Sequence, residues 1–331
     1  MQIKQPGMLL TLQDFGRYGY LAQGITRGGP ADALAFLWGN RLLGNSYHTP
    51  QLELTLGGLQ AVATQATHIA VCGATIDWRI NGIAQPQWQV VPVRRGDQLE
   101  FGYARAGVRA YIAVAGGFAV PAECVVKGSV STVTREQQGG TDGHGHPVQS
   151  GEQLHYAQPD QSVVVNQRVP ARFIPHYPSA QAVADAKPLQ LTATPGMHYH
   201  ALPSASQQQC WQQSYEVTPA SDRMGVRLKP SEDNPPLGWP HAGILSLPLG
   251  KGTLQLPPSN EPVVMLADAQ TLGGYPQLLQ LTWESCNMLA QTPPGHQVQF
   301  NQVTVEAAEA SLVEYFRFFG VACQQADNLR S

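Results

Sequence analysis

The chain has 331 residues, about the length of two domains; only 13 % of them are charged, and 43 % are hydrophobic. This composition argues against a disordered chain, and 33 glycines with 26 prolines predict many turns and few long helices. A formal net charge of -3 supplies neither a basic surface for nucleic acid nor a belt for anionic lipid, so we expect neither partner.

Two apolar stretches bear on export and membrane insertion. Residues 8–12 are too short and too polar for the core of a signal peptide. Residues 110–120 fall well short of the roughly 18 residues that span a bilayer, so they predict a buried strand. The cysteines form no Cys-x-x-Cys pair, which favours reduced thiols in the cytoplasm. They are Cys72, Cys124, Cys210, Cys286 and Cys323.

Short apolar runs bounded by Gly, Pro and Asn predict strands through the first half of the chain. Asn81-Gly82 between two such runs predicts a tight hairpin turn, because both residues tolerate positive φ angles. The predicted strands cover residues 8–12, 52–56, 68–72, 87–93, 98–101 and 108–114.

Three helices are predicted, over residues 30–44, 284–291 and 305–319. Pro30 suits a first helical turn, Asp32 faces the positive end of the helix dipole, and Gly44 follows the last apolar residue. Prolines and polar residues break residues 158–188. We therefore predict an N-terminal β subdomain over 1–157, a connection over 158–188 and a C-terminal β subdomain over 189–331.

Two polar segments near the N-terminus are candidate anion sites. Gln13 and Arg17 flank a turn after the first predicted strand, and Asp32 follows Gly28-Gly29-Pro30-Ala31 at a helix start. Free amides at a helix start can bind an anion. Helix capping by Asp32 is an alternative of equal weight.

A glycine-rich segment follows in the first half. Ser129 lies in Gly128-Ser129-Val130-Ser131-Thr132, and Gly139-Gly140 begins a loop in which successive amides could form an anion nest. It is not a P-loop, because no Lys-Ser or Lys-Thr follows. A plain glycine loop is the alternative.

Histidines recur two residues apart in two places. The pairs His144/His146 and His198/His200 would each share one face of a strand, a spacing that metals can use. Neither pair has a third ligand at a diagnostic distance. We therefore predict no metal site.

The second half has two turns that combine acids with hydrogen-bonding residues. Arg223 could clamp a carboxylate, with Asp222 and Asp268 as acid, base or orienting groups. Gln270 and Tyr275 are candidate hydrogen-bonding residues, and Gly273-Gly274 bound the second turn. The alternative is purely structural: a local Asp222–Arg223 pair and an Asx-turn at Asp268.

Several of these stretches together resemble one family, the allophanate hydrolase subunit 2 or biotin-dependent carboxyltransferase A/B subdomain family. The resemblance runs from about residue 8 to about residue 300. It is carried by Gln13-Asp14-Phe15-Gly16-Arg17, Gly29-Pro30-Ala31-Asp32, Asn40-Arg41-Leu42-Leu43-Gly44-Asn45, Leu52-Glu53-Leu54-Thr55-Leu56-Gly57-Gly58, Ser221-Asp222-Arg223-Met224-Gly225 and residues 267–276.

The resemblance implies a mainly β fold of two cyclophilin-like β-barrel subdomains with a few short helices. It also implies two partners, a B subunit of the allophanate hydrolase subunit 1 or KipI type and an A subunit of the LamB/YcsF type. The implied activity is that of the C subunit in an ATP-dependent 5-oxoprolinase, which opens a lactam to glutamate and is expected to be inactive alone. ATP would be bound on this chain or with a partner.

Two alternatives stay open. One is the carboxyltransferase component of a urea carboxylase, served by biotin on a separate carrier. The other is a KipA-like regulator that binds a KipI-like protein. Val130 and Ala269 stand where the resemblance predicts arginines, which leaves Arg17 and Arg223 as the expected anion contacts.

Overall fold

The computed structural model describes residues 1–159, 162–179, 187–230, 236–239 and 244–321, and the chain divides into two compact units. Unit 1 comprises Met1–Arg17 and Gly28–Ala180, and unit 2 comprises Tyr18–Arg27 and Gln181–Ser331. No pattern in the sequence predicts that residues 18–27 group with the second half.

Unit 1 is built on an eight-stranded sheet in which two long antiparallel strands, β5 and β8, carry most of the pairing. The path β1-β4-β8-β3-β2 runs through β8, and β5 pairs β6, β7 and β8. The elements are β1 (Gln2–Pro6), β2 (Leu9–Gln13), α1 (Ala33–Leu43), β3 (Gln51–Thr55), β4 (Leu59–Val62), β5 (Thr67–Ile80), β6 (Ile83–Gln85), β7 (Val90–Val93), β8 (Gln98–Val114), β9 (Phe118–Ala119) and β10 (His155–Tyr156).

The sheet of unit 1 curls because its long strands change partners along their length. β8 pairs β4 near its start and β3 near its end, and its register with β5 shifts between Gly73 and Trp78. Trp78 and Phe101 stack on the buried face with ring centroids 5.6 Å apart. All six predicted runs contribute to strands, but residues 98–101 and 108–114 belong to one strand, β8.

Local signals set the helix and the hairpin of unit 1. Asp32 caps α1, accepting hydrogen bonds from the N–H groups of Leu34 and Ala35 at 3.1 Å, and Gly44 ends it with a φ of 68°. The predicted hairpin is confirmed: Asn81 and Gly82 have φ angles of 51° and 79° between β5 and β6. The helix starts at residue 33 rather than 30, because Asp32 serves as its cap.

Unit 2 contains a closed barrel in the order β11-β18-β15-β16-β13-β12-β19, with β19 returning to β11. The β11–β19 pairing is parallel and the others are antiparallel. The elements are β11 (Leu189–Pro195), α2 (Ser204–Gln212), β12 (Ser214–Val217), β13 (Gly225–Pro230), β14 (Leu247–Pro248), β15 (Thr253–Gln255), β16 (Val263–Met265), β17 (Leu272–Gly273), β18 (Gln277–Leu281), α3 (Trp283–Ala290), β19 (Gln297–Gln302) and α4 (Val305–Phe319).

Alternating residues fill the core of unit 2. Tyr215 on β12 and Phe300 on β19 are buried, with ring centroids 5.5 Å apart. The predicted helices are confirmed as α3 and α4, whereas α2 was not predicted because its sequence is polar and buries only Ser206 and Cys210. Within the described residues, no helix is long and apolar enough to cross a membrane.

The expected fold class is therefore confirmed. The chain is mainly β, with a closed seven-stranded barrel in unit 2 and a curled eight-stranded sheet in unit 1. Its four α-helices within the described residues are 8 to 15 residues long. Polar segments between the strands carry the candidate site residues.

Candidate functional site

A buried ion pair joins two loops at one end of the barrel in unit 2. Arg223 precedes β13 and Asp268 follows β16, and these antiparallel strands bring the two loops together. The N–H of Asp268 donates to the main-chain oxygen of Arg223 at 2.9 Å. In the side chains, Nε and one terminal nitrogen of Arg223 donate to the two carboxylate oxygens of Asp268, both at 2.8 Å.

The ion pair fixes the loops and engages both partners. Arg223 is 7 % exposed and Asp268 is 5 % exposed, so water screens their attraction weakly. Both oxygens of Asp268 accept from one edge of the guanidinium, so that edge is already occupied. This geometry suits a positioning role for the pair, which holds the loop at residues 267–276 against the barrel.

Asp222, the third predicted member of this cluster, stands apart from the ion pair. Its carboxylate accepts hydrogen bonds from the N–H groups of Met224 at 2.7 Å and Gly225 at 3.1 Å, and the residue is exposed. The structural alternative, an Asp222–Arg223 pair with an Asx-turn at Asp268, is correct in the type of its two interactions but wrong in the residues that make them. The ion pair forms with Asp268 rather than Asp222, and the Asx-type turn lies at Asp222.

Two further predicted residues of the loop present polar groups. Gln270 is half-buried and Tyr275 is 43 % exposed. Neither side chain makes a hydrogen bond to any residue in the described ranges. Because both residues are at least partly exposed, their polar groups can reach a ligand.

The glycines of this loop differ in their surroundings. A Cβ at Gly273 would lie 2.6 Å from the side-chain ends of Gln255 and Leu249, so a larger residue at this position would have to displace these two side chains. At Gly274 the nearest atoms would be 3.6 Å away, an ordinary contact. Ala269, where an arginine was expected, packs in an apolar cluster with Leu249, Val263 and Met265.

In unit 1, the two predicted polar segments meet at Asp14, whose carboxylate was not among the predicted site residues. Asp14 is buried, and one of its oxygens accepts from the hydroxyls of Ser129 and Ser131, both at 2.6 Å. Its other oxygen accepts from the N–H of Val130 at 2.8 Å. An Asp shortly before Gly-Arg was visible in the sequence, but its partners lie more than a hundred residues away.

The neighbours of Asp14 are engaged in the same network. Arg17 donates to the main-chain oxygens of Val126 at 3.1 Å and Ser131 at 2.7 Å. Gln13 is fully buried and donates to Thr11 and to the main-chain oxygen of Thr132. These interactions link the first predicted strand to the loop at residues 126–132.

The glycine-rich loop packs onto that segment instead of opening. A Cβ at Gly139 would lie 2.1 Å from the main-chain oxygen of Ser131, and the N–H of Gly140 donates to Val130 at 2.8 Å. The glycines therefore allow close packing of the chain on itself. The glycine loop of unit 1 therefore offers no open cradle that fits the phosphates of a nucleoside triphosphate.

Asp32 belongs to a second buried network of unit 1. The carboxylate oxygen that does not cap the helix accepts from the hydroxyl of Tyr177 at 2.7 Å, and the N–H of Asp32 donates to the hydroxyl of Tyr111, which in turn donates to Glu53 at 2.7 Å. Burial, with the nearby carboxylates, raises the pKa of Tyr111 and Tyr177 well above the ordinary value. In the sequence, the only sign of this network was Glu53, a charged residue between two leucines of a predicted strand.

The histidine pairs do not lie on strands. His146 pairs with Asp142 at 2.6 Å on an exposed loop, and His198 accepts from the N–H of Gln277 at 3.1 Å in a turn. Among the residues described, no group of three or more His, Cys, Asp or Glu side chains could hold a metal ion.

Comparison with known proteins places these features in context. Residues 23–302 match the family model of the carboxyltransferase domain, subdomains A and B. The chain is 31 % identical over 324 residues to the C subunit of the 5-oxoprolinase of Escherichia coli (strain K12), covering 96 % of each chain. It is 32 % identical over 302 residues to the C subunit of the Haemophilus influenzae 5-oxoprolinase, covering 90 % of this chain and 89 % of that one.

Solved structures that resemble this chain include two much longer proteins. The crystal structure of the K. lactis urea amidolyase aligns with a TM-score of 0.83 at 27 % identity, over 96 % of this chain and 20 % of that one. The Kluyveromyces lactis urea carboxylase aligns with the same score over 29 % of its chain. This chain thus spans between a fifth and a third of those proteins.

Proposed function

This chain belongs to the family of the carboxyltransferase domain, subdomains A and B, and we propose that it is the C subunit of an ATP-dependent 5-oxoprolinase. The similarity to two proteins that bear this name, at 31–32 % identity, is the observation that carries the proposal. The match extends over 96 % and 89 % of those two relatives, whereas this chain corresponds to only 20 % of the urea amidolyase.

The C subunit of a 5-oxoprolinase works in an enzyme complex, and the missing parts of the site belong to its partners. We propose a B subunit of the allophanate hydrolase subunit 1 or KipI type and an A subunit of the LamB/YcsF type. We assign ATP binding to these partners, because the glycine loop of this chain packs on its own backbone. The complex would be a lactam hydrolase, and this chain would be inactive without it. The cysteines of the described residues are free and buried, which suits a reducing compartment such as the cytoplasm.

The chemistry assigned to this chain is substrate positioning. A lactam carbonyl is a poor electrophile, so its opening requires activation of the oxygen and a fixed orientation of the ring. The Arg223–Asp268 pair holds the loop at residues 267–276, and Gln270 and Tyr275 offer hydrogen bonds to a small polar ligand.

A second candidate is carboxyl transfer from biotin. It is favoured by the structural likeness to a urea amidolyase and a urea carboxylase, both with a TM-score of 0.83. In this alternative the chain would be a carboxyltransferase component, and biotin would arrive on a separate carrier protein.

The proposal is tested by assembling the chain with the products of its neighbouring genes. We expect the purified complex to release glutamate when 5-oxoproline and ATP are both present, and the isolated chain to release none. A stable complex that contains all three subunits and makes no glutamate would refute it.

A further inference from the structure

Arg27 is a cation of unit 2 that no carboxylate of the described residues neutralises. Its guanidinium lies over the ring of Tyr18, 4.0 Å from the ring centroid. It makes no hydrogen bond or ion pair with any residue in the part of the chain that the structure describes. By contrast, Arg223 in the same unit is engaged with Asp268.

The surroundings of Arg27 combine solvent access with many protein atoms nearby. The side chain is half-buried, so part of the guanidinium stays open to solvent. Burial nonetheless lowers its pKa from 12.5 to about 10. The guanidinium is thus partly exposed and partly surrounded by protein, so water would screen a bound anion less than at a fully exposed residue.

Arg27 is anchored beside the loop that follows β16. The hydroxyl of Thr26 donates to the main-chain oxygen of Ala269 at 3.3 Å. Arg27 and Gln270 are therefore each one residue away from this contact, and Asp268 is the residue on its other side. Cys286 of α3 is close enough to interact electrostatically with Arg27. Arg27 thus lies beside the candidate site described above.

We propose that Arg27 is the carboxylate-binding residue of this site. The Tyr18 ring covers one face of the guanidinium, which leaves the planar edges, with their parallel N–H donors, for a ligand. Two parallel donors match the two oxygens of a carboxylate. The identity of the ligand as the carboxylate of 5-oxoproline rests on the proposed function.

Charge balance favours a carboxylate over a nucleotide. One guanidinium neutralises one negative charge, whereas a triphosphate brings several and is normally met by several cations or a metal ion. The loop also presents Ala269 where a second cation was expected, and that residue is packed among apolar side chains. We therefore assign the substrate carboxylate, not ATP, to Arg27.

The test compares Arg27→Gln with Arg27→Lys in the assembled complex. Arg27→Gln is expected to raise KM for 5-oxoproline roughly tenfold or more and to leave KM for ATP within about twofold. Arg27→Lys keeps the charge without the planar fork and should give an intermediate KM. Arg227→Gln is the matched control, since Arg227 is an exposed arginine of the same unit.

Several results would overturn this assignment. Unchanged KM values in Arg27→Gln would remove Arg27 from the site, and a raised KM for ATP alone would make it a phosphate contact. As a control, a midpoint of thermal unfolding equal to that of the wild type shows that each variant is folded.

A binding experiment separates failure of this inference from failure of the proposed function. If the complex releases no glutamate, the full chain is titrated with acetate and with inorganic phosphate while the side-chain Nε–H resonance of Arg27 is followed by NMR. A shift with acetate that Arg227→Gln retains supports a carboxylate site without 5-oxoprolinase activity. No shift, or a shift with phosphate alone, contradicts the inference.

Discussion

The buried Arg223–Asp268 pair gives the sharpest prediction about stability. Asp268→Asn leaves a buried guanidinium facing a neutral amide, and we expect the free energy of unfolding of unit 2 to fall by about 3–5 kcal/mol. The same loss is expected for Arg223→Gln, which leaves the carboxylate uncompensated. The loop at residues 267–276 would lose its anchor in both variants.

The magnitude follows from the geometry of the pair. Two charge-assisted hydrogen bonds of 2.8 Å join the side chains, and each is worth about 1.5–3 kcal/mol. Their sum of about 3–6 kcal/mol agrees with the usual cost of breaking one partner of a buried pair. The double variant Arg223→Gln/Asp268→Asn has no unpaired charge, so its loss should be smaller than the sum of the single losses by about 2–3 kcal/mol.

Hydrogen exchange at the amides of β13 and β16 under native conditions is the assay, because it reports the opening of this unit alone. Asp222→Asn is the control: it removes a neighbouring but exposed charge, and its loss should stay below about 1 kcal/mol. A loss under about 1 kcal/mol in Asp268→Asn, or simple additivity in the double variant, would refute the argument.

Three further predictions concern stability. Asp14→Asn should lower the midpoint of urea unfolding by an amount equivalent to about 2–4 kcal/mol, because buried donors lose a charged acceptor; a loss below about 1 kcal/mol contradicts this. Gly139→Ala should cost at least about 3 kcal/mol and Gly128→Ala about 1 kcal/mol, since both have positive φ but only Gly139 would clash; equal losses count against the packing argument. Burial raises the pKa of Cys286 from 9.0 to about 11, so the contribution of this thiol to the free energy of unfolding should be constant below about pH 9 and fall by up to about 3 kcal/mol towards pH 11, because the thiol ionises first in the unfolded chain. Other buried thiols contribute to the slope of the free energy of unfolding in this pH range, so Cys286→Ala should reduce that slope without removing it, and an unchanged slope speaks against the argument.

Local chemistry made several elements predictable. The helix α4 coincides with the predicted residues 305–319, because Thr304 caps it and Gly320 ends it with a φ of 65°. The Asn81-Gly82 turn required only two neighbouring residues with positive φ. In each case the determining residues lie within a few positions of one another, so a single sequence contains the information.

The site depended on contacts that a single sequence does not contain. Ser131 meets Asp14 across 117 positions, and Arg223 meets Asp268 across 45. Sequence patterns had marked Arg17 and Arg223 as the anion contacts, yet both donate to groups of this chain. Arg27 had no motif of its own, and only its stacking and its position beside Ala269 distinguish it.

The closed barrel shows the same limit. Its closure depends on the parallel pairing of β11 with β19, which joins residues about a hundred positions apart in the chain. The resemblance to a known family supplied this topology, whereas composition and turn spacing predicted only a mainly β chain. Local patterns thus predicted strands and turns, and the family resemblance predicted how the strands close into a barrel.

The most direct test of the proposed function measures which substrate the assembled complex consumes. The purified complex is given ATP with 5-oxoproline, or ATP with urea and bicarbonate, each with and without avidin to sequester biotin. Glutamate release that requires 5-oxoproline and ATP and is unaffected by avidin is the predicted result. Urea-dependent consumption of ATP that avidin abolishes, with no glutamate from 5-oxoproline, would contradict it and identify a biotin-dependent carboxyltransferase.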